Sequence, residues 1–240
     1  MNRDYRAHYE EAYATGASEW RRIGALDKAA NLQQMWAGTE QVGPPASILD
    51  IGCGDGSLAA ELSRTGFLRE YTGVDLSEHA IEAARERATP DTKWTAFDGR
   101  TVPVADRSFE LAVLSHVLEH VEHPRYLLYE AARTSRWVFV EVPLELHSRT
   151  PEDFAWTATG HINLFNSTVL RHLVQSAGLQ VVKQSSYPVR REAIEFQRGR
   201  VKGAAIWALR EGAHRLSASF AERLVTYHGC LIARPADPSP

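Results

Sequence analysis

Short apolar runs alternate with amphipathic stretches from residue 47 onward. Ser47–Ile51, Tyr71–Val74, Lys93–Phe97, Phe109–Leu114 and Trp137–Val142 read as strands, the last rich in Val and Phe. Between them, Leu58–Arg64 is a helix ended by Gly66, Ser77 caps a helix running to about Arg87, and Pro124–Thr134 is a further helix. Strands alternating with helices in this way predict an α/β fold with a parallel sheet covered on both faces. Upstream, the first forty residues read as helix. Leu26, Ala29, Ala30, Leu32 and Met35 lie at helical spacing, Ser18 is a candidate cap, and Gly43-Pro44-Pro45 is the stop. After Pro143 the alternation breaks, and residues 143–166 read as a long loop. Asn166 or Ser167 then caps a helix to Ala177, Gly178 closes it, and Leu179–Ser185 is a sixth strand. Residues 189–222 are an insertion in which Leu209, Ala213, Leu216, Phe220 and Leu224 repeat at three and four, the pattern of one amphipathic helix. A strand over roughly Thr226–Ala233 ends the domain, and the prolines at 235, 238 and 240 predict a frayed tail.

Composition adds boundaries. The chain has 240 residues, 44% hydrophobic and 24% charged, which excludes a disordered chain and suits one domain. A formal net charge of -3 argues against a general nucleic-acid binder. No apolar run approaches the roughly eighteen residues that span a bilayer, and Met-Asn-Arg-Asp-Tyr-Arg lacks the apolar core of a signal peptide. Cys53 and Cys230 are too few for a disulfide framework or a zinc cluster, so a reducing cytoplasmic compartment is expected.

The chemistry begins at Ile48-Leu49-Asp50-Ile51-Gly52-Cys53-Gly54-Asp55-Gly56-Ser57, a buried strand running into a glycine-rich turn and a helix. Such a turn lets backbone approach a ligand at the carboxyl end of a strand. Its spacing is Gly-x-Gly-x-Gly, whereas dinucleotide folds use Gly-x-Gly-x-x-Gly. Asp50 suits a ligand carrying an amine and would repel a pyrophosphate. Asp75, in Gly73-Val74-Asp75-Leu76-Ser77, ends the second strand about twenty residues on, where a carboxylate accepts from ribose hydroxyls. By itself it reports only a ribose, a feature shared with NAD folds. Asp98-Gly99 ends the third strand, where the carboxylate either meets an adenine amino group or opens a turn. Ser115-His116-Val117-Leu118-Glu119-His120 follows the fourth strand.

Together, Asp50-x-Gly-x-Gly-x-Gly, Asp75, Asp98, Asp106-x-Ser-Phe-Glu and Ser-His-Val-Leu-Glu-His resemble a class I S-adenosylmethionine-dependent methyltransferase of the bacterial small-molecule type. The match covers roughly residues 47–142, and Gly160-His161-Ile162-Asn163-Leu164-Phe165 resembles the later part of the same enzymes. The resemblance implies a Rossmann-like, seven-stranded, mostly parallel sheet with its last strand antiparallel. It divides the chain into an N-terminal helical lid (1–42), a cofactor-binding core (43–188), the helical insertion (189–222), the last strand (223–234) and a disordered tail (235–240). It implies S-adenosyl-L-methionine as cofactor, with Asp50, Gly52, Cys53 and Gly54 around the methionine part, Asp75 and Leu76 at the ribose, Asp98 and Gly99 near adenine, and Ser115 and His116 along its edge.

A hydroxyl acceptor must lose a proton, and histidine is the side chain whose pKa lies nearest neutrality. His161, in the loop after the fifth strand, is the first candidate base and His120 the second; the alternatives are a loop-ordering hydrogen bond and a helix-end residue. Lys28 either pairs with the methionine carboxylate or is a solvated lysine. Tyr5, Tyr9, Tyr13 and Trp20 lie in the segment that the resemblance makes a lid, or simply pack that helix on the sheet. Glu141, Glu145 and His147 match no strong metal-ligand spacing, so no metal is expected. Arg190, Arg191, Arg198, Arg200 and Lys202 against Glu192 and Glu195 are a solvated face or an attractor for an anionic substrate. The apolar stripe beyond them is a lid or a homodimer contact. The expected activity is methyl transfer to a hydroxyl of a metabolite or saccharide, with no membrane or nucleic-acid partner. The competing readings are an N- or RNA methyltransferase, a cofactor-binding regulatory protein without turnover, and a nicotinamide-dependent dehydrogenase, which the glycine spacing disfavours.

Overall fold

Strand β1 (Ser47–Ile51) shows why both sheet faces are covered. Ile48 packs into one apolar cluster with Leu111, Val113 and Phe139, while its neighbour Leu49 packs into another with Ala112, Leu114 and Val140. Successive strand residues point to opposite faces, so strands apolar at both parities need a layer on each side. Helices α1 (Ser18–Trp36), α2 (Ser57–Arg64) and α3 (Glu78–Glu86) supply one layer through Leu32, Leu62 and Ile81. Helices α4 (Pro124–Thr134) and α5 (Ser167–Ser176) supply the other through Leu128 and Val174.

The computed structural model describes residues 18–152, 154 and 160–236. The remaining strands are β2 (Glu70–Asp75), β3 (Thr92–Ala96), β4 (Phe109–Ser115), β5 (Ser135–Pro143), β6 (Leu179–Tyr187) and β7 (His228–Pro235). They form one seven-stranded sheet in the order β3-β2-β1-β4-β5-β7-β6. β1 to β5 are parallel, and β7 runs antiparallel between β5 and β6. This is the Rossmann-like sheet that the resemblance implied. The expected caps are present: the side chain of Ser77 accepts from Ala80 N at 3.1 Å and that of Asn166 from Val169 N at 2.9 Å.

Three expectations need correction. The insertion is three helices, α6 (Arg191–Arg198), α7 (Arg200–Leu216) and α8 (Ala218–Ala221). Gly199, at φ 79°, ends the first, and the extended Ser217 caps the third, so the three-and-four repeat runs across a break. Its stripe does not form a buried face: Leu209, Leu216 and Phe220 are exposed. The first helix stops at Trp36, well before Gly43-Pro44-Pro45; the indole Nε1 of Trp36 donates to Gly43 O at 2.8 Å and ties the intervening turn back. Pro235 and Ala236, expected in the frayed tail, are held: Pro235 closes β7 and Ala236 N donates to Gly178 O at 3.0 Å, while residues 237–240 lie outside the described residues. Tyr5, Tyr9 and Tyr13 lie outside the described residues. Both cysteines are free and buried, and among the described residues no helix is long and apolar enough to cross a membrane.

Candidate active site

The chain leaves β1 toward β2 on one side and returns with β4 on the other. The carboxyl ends of β1 and β4 therefore flank a crevice, the position where open α/β sheets bind ligands. A cavity of about 780 Å³ opens there. Asp50, Gly52, Cys53 and Gly54 line it from β1, Ser115, His116 and His120 from β4, and Lys28 from α1. Glu145, His161 and His228 complete its inner wall, and Arg198 and Arg210 of the insertion stand over it. α1 and α6 meet across its mouth, where Trp20 stacks on Phe196 with ring centroids 6.0 Å apart and Arg190 Nε pairs with Asp27 at 3.3 Å.

The glycine turn uses its own donors. Gly52 N and Cys53 N donate to Val74 O, Gly56 N to Cys53 O, Gly54 N to Asp75 Oδ2 at 2.8 Å, and Ser57 N to Asp55 Oδ1. These N–H groups are engaged within the chain and are not offered to a phosphate, which weighs against the dinucleotide reading. Gly52 sits at φ 84°, and an added Cβ would come within 2.5 Å of Val117 Cγ2, so only glycine fits. Asp50 is buried at the cavity floor and accepts from Tyr71 OH. Burial pushes its carboxyl up to about 6, against the pull of the Tyr71 hydrogen bond and the Lys28 charge. A buried carboxylate with one donor and an open side fits a ligand bearing an ammonium.

Asp75 is buried and accepts from Gly54 N and from Ser77 N at 3.0 Å, locking the β1 turn to the end of β2. Asp98 is exposed and opens a turn, accepting from Arg100 N and Thr101 N at 2.8 and 2.9 Å, which hold its pKa down. Asp75, Leu76, Asp98 and Gly99 share one end of the sheet, with Leu76 Cδ1 3.5 Å from where a Cβ on Gly99 would be, but they do not line the cavity.

Beside the turn lies a buried polar network. Lys28 Nζ donates to Ser115 O at 3.2 Å. Glu141, fully buried in β5, accepts from Ser115 Oγ at 2.5 Å and Asn31 Nδ2 at 2.7 Å, and its Oε1 lies 3.6 Å from His228 Nδ1. Burial alone would raise the Glu141 pKa, but His116, His228 and the two hydrogen bonds bring it below the usual glutamate value. His116 holds φ 57°, uncommon for a side-chain-bearing residue, with its N–H on Glu141 O and its Nε2 3.1 Å from His228 Nδ1. Desolvation depresses its pKa to about 3 and keeps the ring neutral.

The far corner of the cavity is drawn together by Asn163. Its Nδ2 donates to Leu118 O and Val121 O, and Ile162 N and Asn163 N donate to Glu119 O. This stitches the loop after β5 to the segment after β4. It brings the His161 and His120 rings to 4.8 Å, edge to face. His161 Nδ1 lies 2.6 Å from Glu145 Oε2. Burial would lower the His161 pKa, but the hydrogen bond and charge of Glu145 overturn this and raise it. His120 Nδ1 meets Gly160 O at 3.2 Å, and burial lowers its pKa. His147 stands apart, with Nε2 3.3 Å from Thr226 Oγ1.

Sequence reasoning missed Asp27, Asn31, His228 and Arg210 as site residues. Asp27 and Asn31 sit four apart on α1 as buried polar residues among apolar neighbours, a signal that was readable. Arg210 is half-buried and, among the described residues, has no ion pair; burial lowers its pKa, and Arg198 lowers it further.

A Rossmann-like sheet with β7 antiparallel, a glycine turn with its donors engaged and a buried aspartate facing the cavity define the class I, S-adenosylmethionine-dependent methyltransferases. Residues 20–184, more than half of the chain, match the family model described as a methyltransferase domain, and the chain belongs to that family. It is 30% identical over 103 residues to the mitochondrial ubiquinone biosynthesis O-methyltransferase of Candida albicans, covering 39% of this chain and 31% of that protein. It is 29% identical over 117 residues to the 2-phytyl-1,4-naphtoquinone methyltransferase of Nostoc sp., covering 46% of this chain and 50% of that one. The matches thus span half or less of those relatives. Among solved structures, Haemonchus contortus phosphoethanolamine N-methyltransferase 2, determined with S-adenosyl-L-methionine, superposes with a TM-score of 0.65 at 14% identity over 95% of this chain and 60% of that one. At that identity the likeness is one of fold.

Proposed function

We propose that this chain methylates a hydroxyl oxygen of a small anionic metabolite or saccharide, using S-adenosylmethionine. The observation carrying this reading is the His161–Glu145 pair, 2.6 Å apart in the wall of the cavity that Asp50 and the glycine turn also line. When bound, the cofactor supplies a methyl group on a sulfonium, open to in-line attack by an oxygen lone pair. Asp50 holds the ammonium end and Lys28 the carboxylate. Asp75 and Leu76 serve the ribose, Asp98 and Gly99 the adenine. Ser115 and His116 border the bound ligand. The acceptor hydroxyl sits at the His120–His161 corner, and its proton leaves toward the His161–Glu145 pair. Holding that oxygen in line is worth several kcal/mol of barrier. α1 and the insertion 189–222 act as lids on the core 43–188 and exclude water. Arg210, half-buried, without an ion pair among the described residues and with Arg198 beside it, favours an acceptor with a phosphate or carboxylate. The test is a panel of hydroxylated phosphates, sugar acids, phenolic acids, amines and RNA incubated with S-adenosylmethionine. S-adenosylhomocysteine release and one methyl on a hydroxyl of an anionic member are expected. Turnover on amines or RNA alone overturns the acceptor reading. Cofactor binding with no turnover on any member overturns catalysis in favour of a regulatory protein.

A further inference from the structure

Two groups of histidines and carboxylates lie around the cavity: His116 with Glu141 and His228, and Glu119 with His120 and His161. In the first, Glu141 is satisfied by Asn31 and Ser115, and the group accounts for its own charge. The second does not. Glu119 is fully buried, and among the described residues neither carboxylate oxygen has a hydrogen-bond partner. His116 Nδ1 lies 3.1 Å from Oε1. A buried carboxylate with no donor is costly unless a cation meets it.

We propose that Glu119, His120 and His161 hold a divalent transition-metal ion at the acceptor corner of the cavity. One ligand atom from each residue lies within 4.8 Å of the other two. Ligands about 2.1 Å from a shared ion stand roughly 3–4 Å apart, so small side-chain movements close the site. The tautomers agree. Glu145 sits on Nδ1 of His161 at 2.6 Å and the Gly160 carbonyl on Nδ1 of His120 at 3.2 Å. In each neutral ring the proton is then on Nδ1 and the lone pair on Nε2. A carboxylate or carbonyl behind a histidine is how protein metal sites orient imidazole ligands. Two imidazoles and one carboxylate suit zinc, iron, cobalt, nickel or manganese better than magnesium or calcium. Three protein ligands leave positions open, and His120 and His161 line the cavity, so those positions face an acceptor oxygen. The inference rests on the acceptor corner assigned above and revises its chemistry: with Nε2 of His161 on the ion, the ion would acidify the acceptor hydroxyl in place of the free imidazole.

The test is cobalt and zinc titration of the untagged full chain after chelation, followed by calorimetry and by visible absorption of bound cobalt. One equivalent per chain is expected. Glu119→Gln, nearly isosteric, should weaken binding at least ten-fold. Glu145→Gln, which touches no ion, should weaken it about ten- to a hundred-fold. His228→Asn, in the other group, should leave it unchanged. Should Glu119→Gln fail to fold, judged by circular dichroism, Glu145→Gln and His161→Asn carry the same comparison. No binding at millimolar cobalt, or binding that survives both Glu119→Gln and His161→Asn, overturns the proposal. Turnover on a hydroxylated acceptor that is undiminished in chelator, together with absent binding, overturns the ion and leaves the acceptor reading intact. Metal binding with no turnover on any acceptor does the reverse.

Discussion

The two ends of the cavity are built on different plans. At the glycine turn, residues 50–57 lie on one strand, one turn and one helix start, and their polar groups are largely satisfied within the chain. At the other end, where we propose that the acceptor sits, the side chains arrive from the β4 exit, the loop after β5 and the insertion; among the described residues Glu119 has no hydrogen-bond donor and Arg210 no ion pair. A preorganised turn costs little to keep and binds the same ligand every time. A set of buried, unmatched charges is expensive to fold and is matched when its ligand arrives. On the proposed reading, the turn end holds the cofactor and the other end selects the acceptor.

Substitutions can separate the two ends. The largest effect is expected from His161→Ala, which should lower kcat about a hundred- to ten-thousand-fold while S-adenosylhomocysteine affinity stays put. An equal loss of cofactor affinity by calorimetry would show that the ends are not separable. Arg210→Gln should raise KM for an anionic acceptor roughly ten- to a hundred-fold, the value of one charge-assisted hydrogen bond, with kcat little changed. Equal KM values for charged and neutral acceptors would remove the anion from the picture. On the other side, Asp75→Ala orphans the N–H groups of Gly54 and Ser77. It should weaken S-adenosylhomocysteine binding ten-fold or more and lower Tm, at about 1–3 kcal/mol per buried donor. Unchanged affinity would mean the turn holds without its clamp.

The smallest effect is one of pH. Burial sets the free Asp50 carboxyl near 6, and an ammonium partner in the complex lowers it. The ionised form binds, so affinity is full above that value and falls as pH drops through it. S-adenosylhomocysteine should bind about ten-fold more weakly at pH 5 than at neutral pH. Asp50→Asn should bind weakly at both and lose the dependence.

The same division explains what was legible in the sequence. The strand-and-helix alternation and the glycine turn are contiguous patterns, and the sheet followed from them. The insertion misled because Gly199 and Ser217 break a hydrophobic repeat that reads as continuous. Asp98 carried two readings; its hydrogen bonds show the turn, and the adenine role is a matter of ligand binding that they do not decide. Glu119 was visible only as a letter inside a motif; its isolation depends on what surrounds it in space. His228 belongs to the site through Glu141 and Asp27, residues more than eighty positions away, and no local pattern encodes such a meeting.

The place of β7 bears on how the molecule is made. Among the described residues it is the last strand in order, yet it lies inside the sheet, and it is the only strand that β6 pairs with. During synthesis, β6 and the open side of β5 must wait for residues 228–235 to clear the ribosome. Until then both present bare backbone edges to solvent, the kind of surface on which chaperones act and aggregation begins. His228 arrives with the same strand, so the sheet and the inner wall of the cavity are completed in one late event.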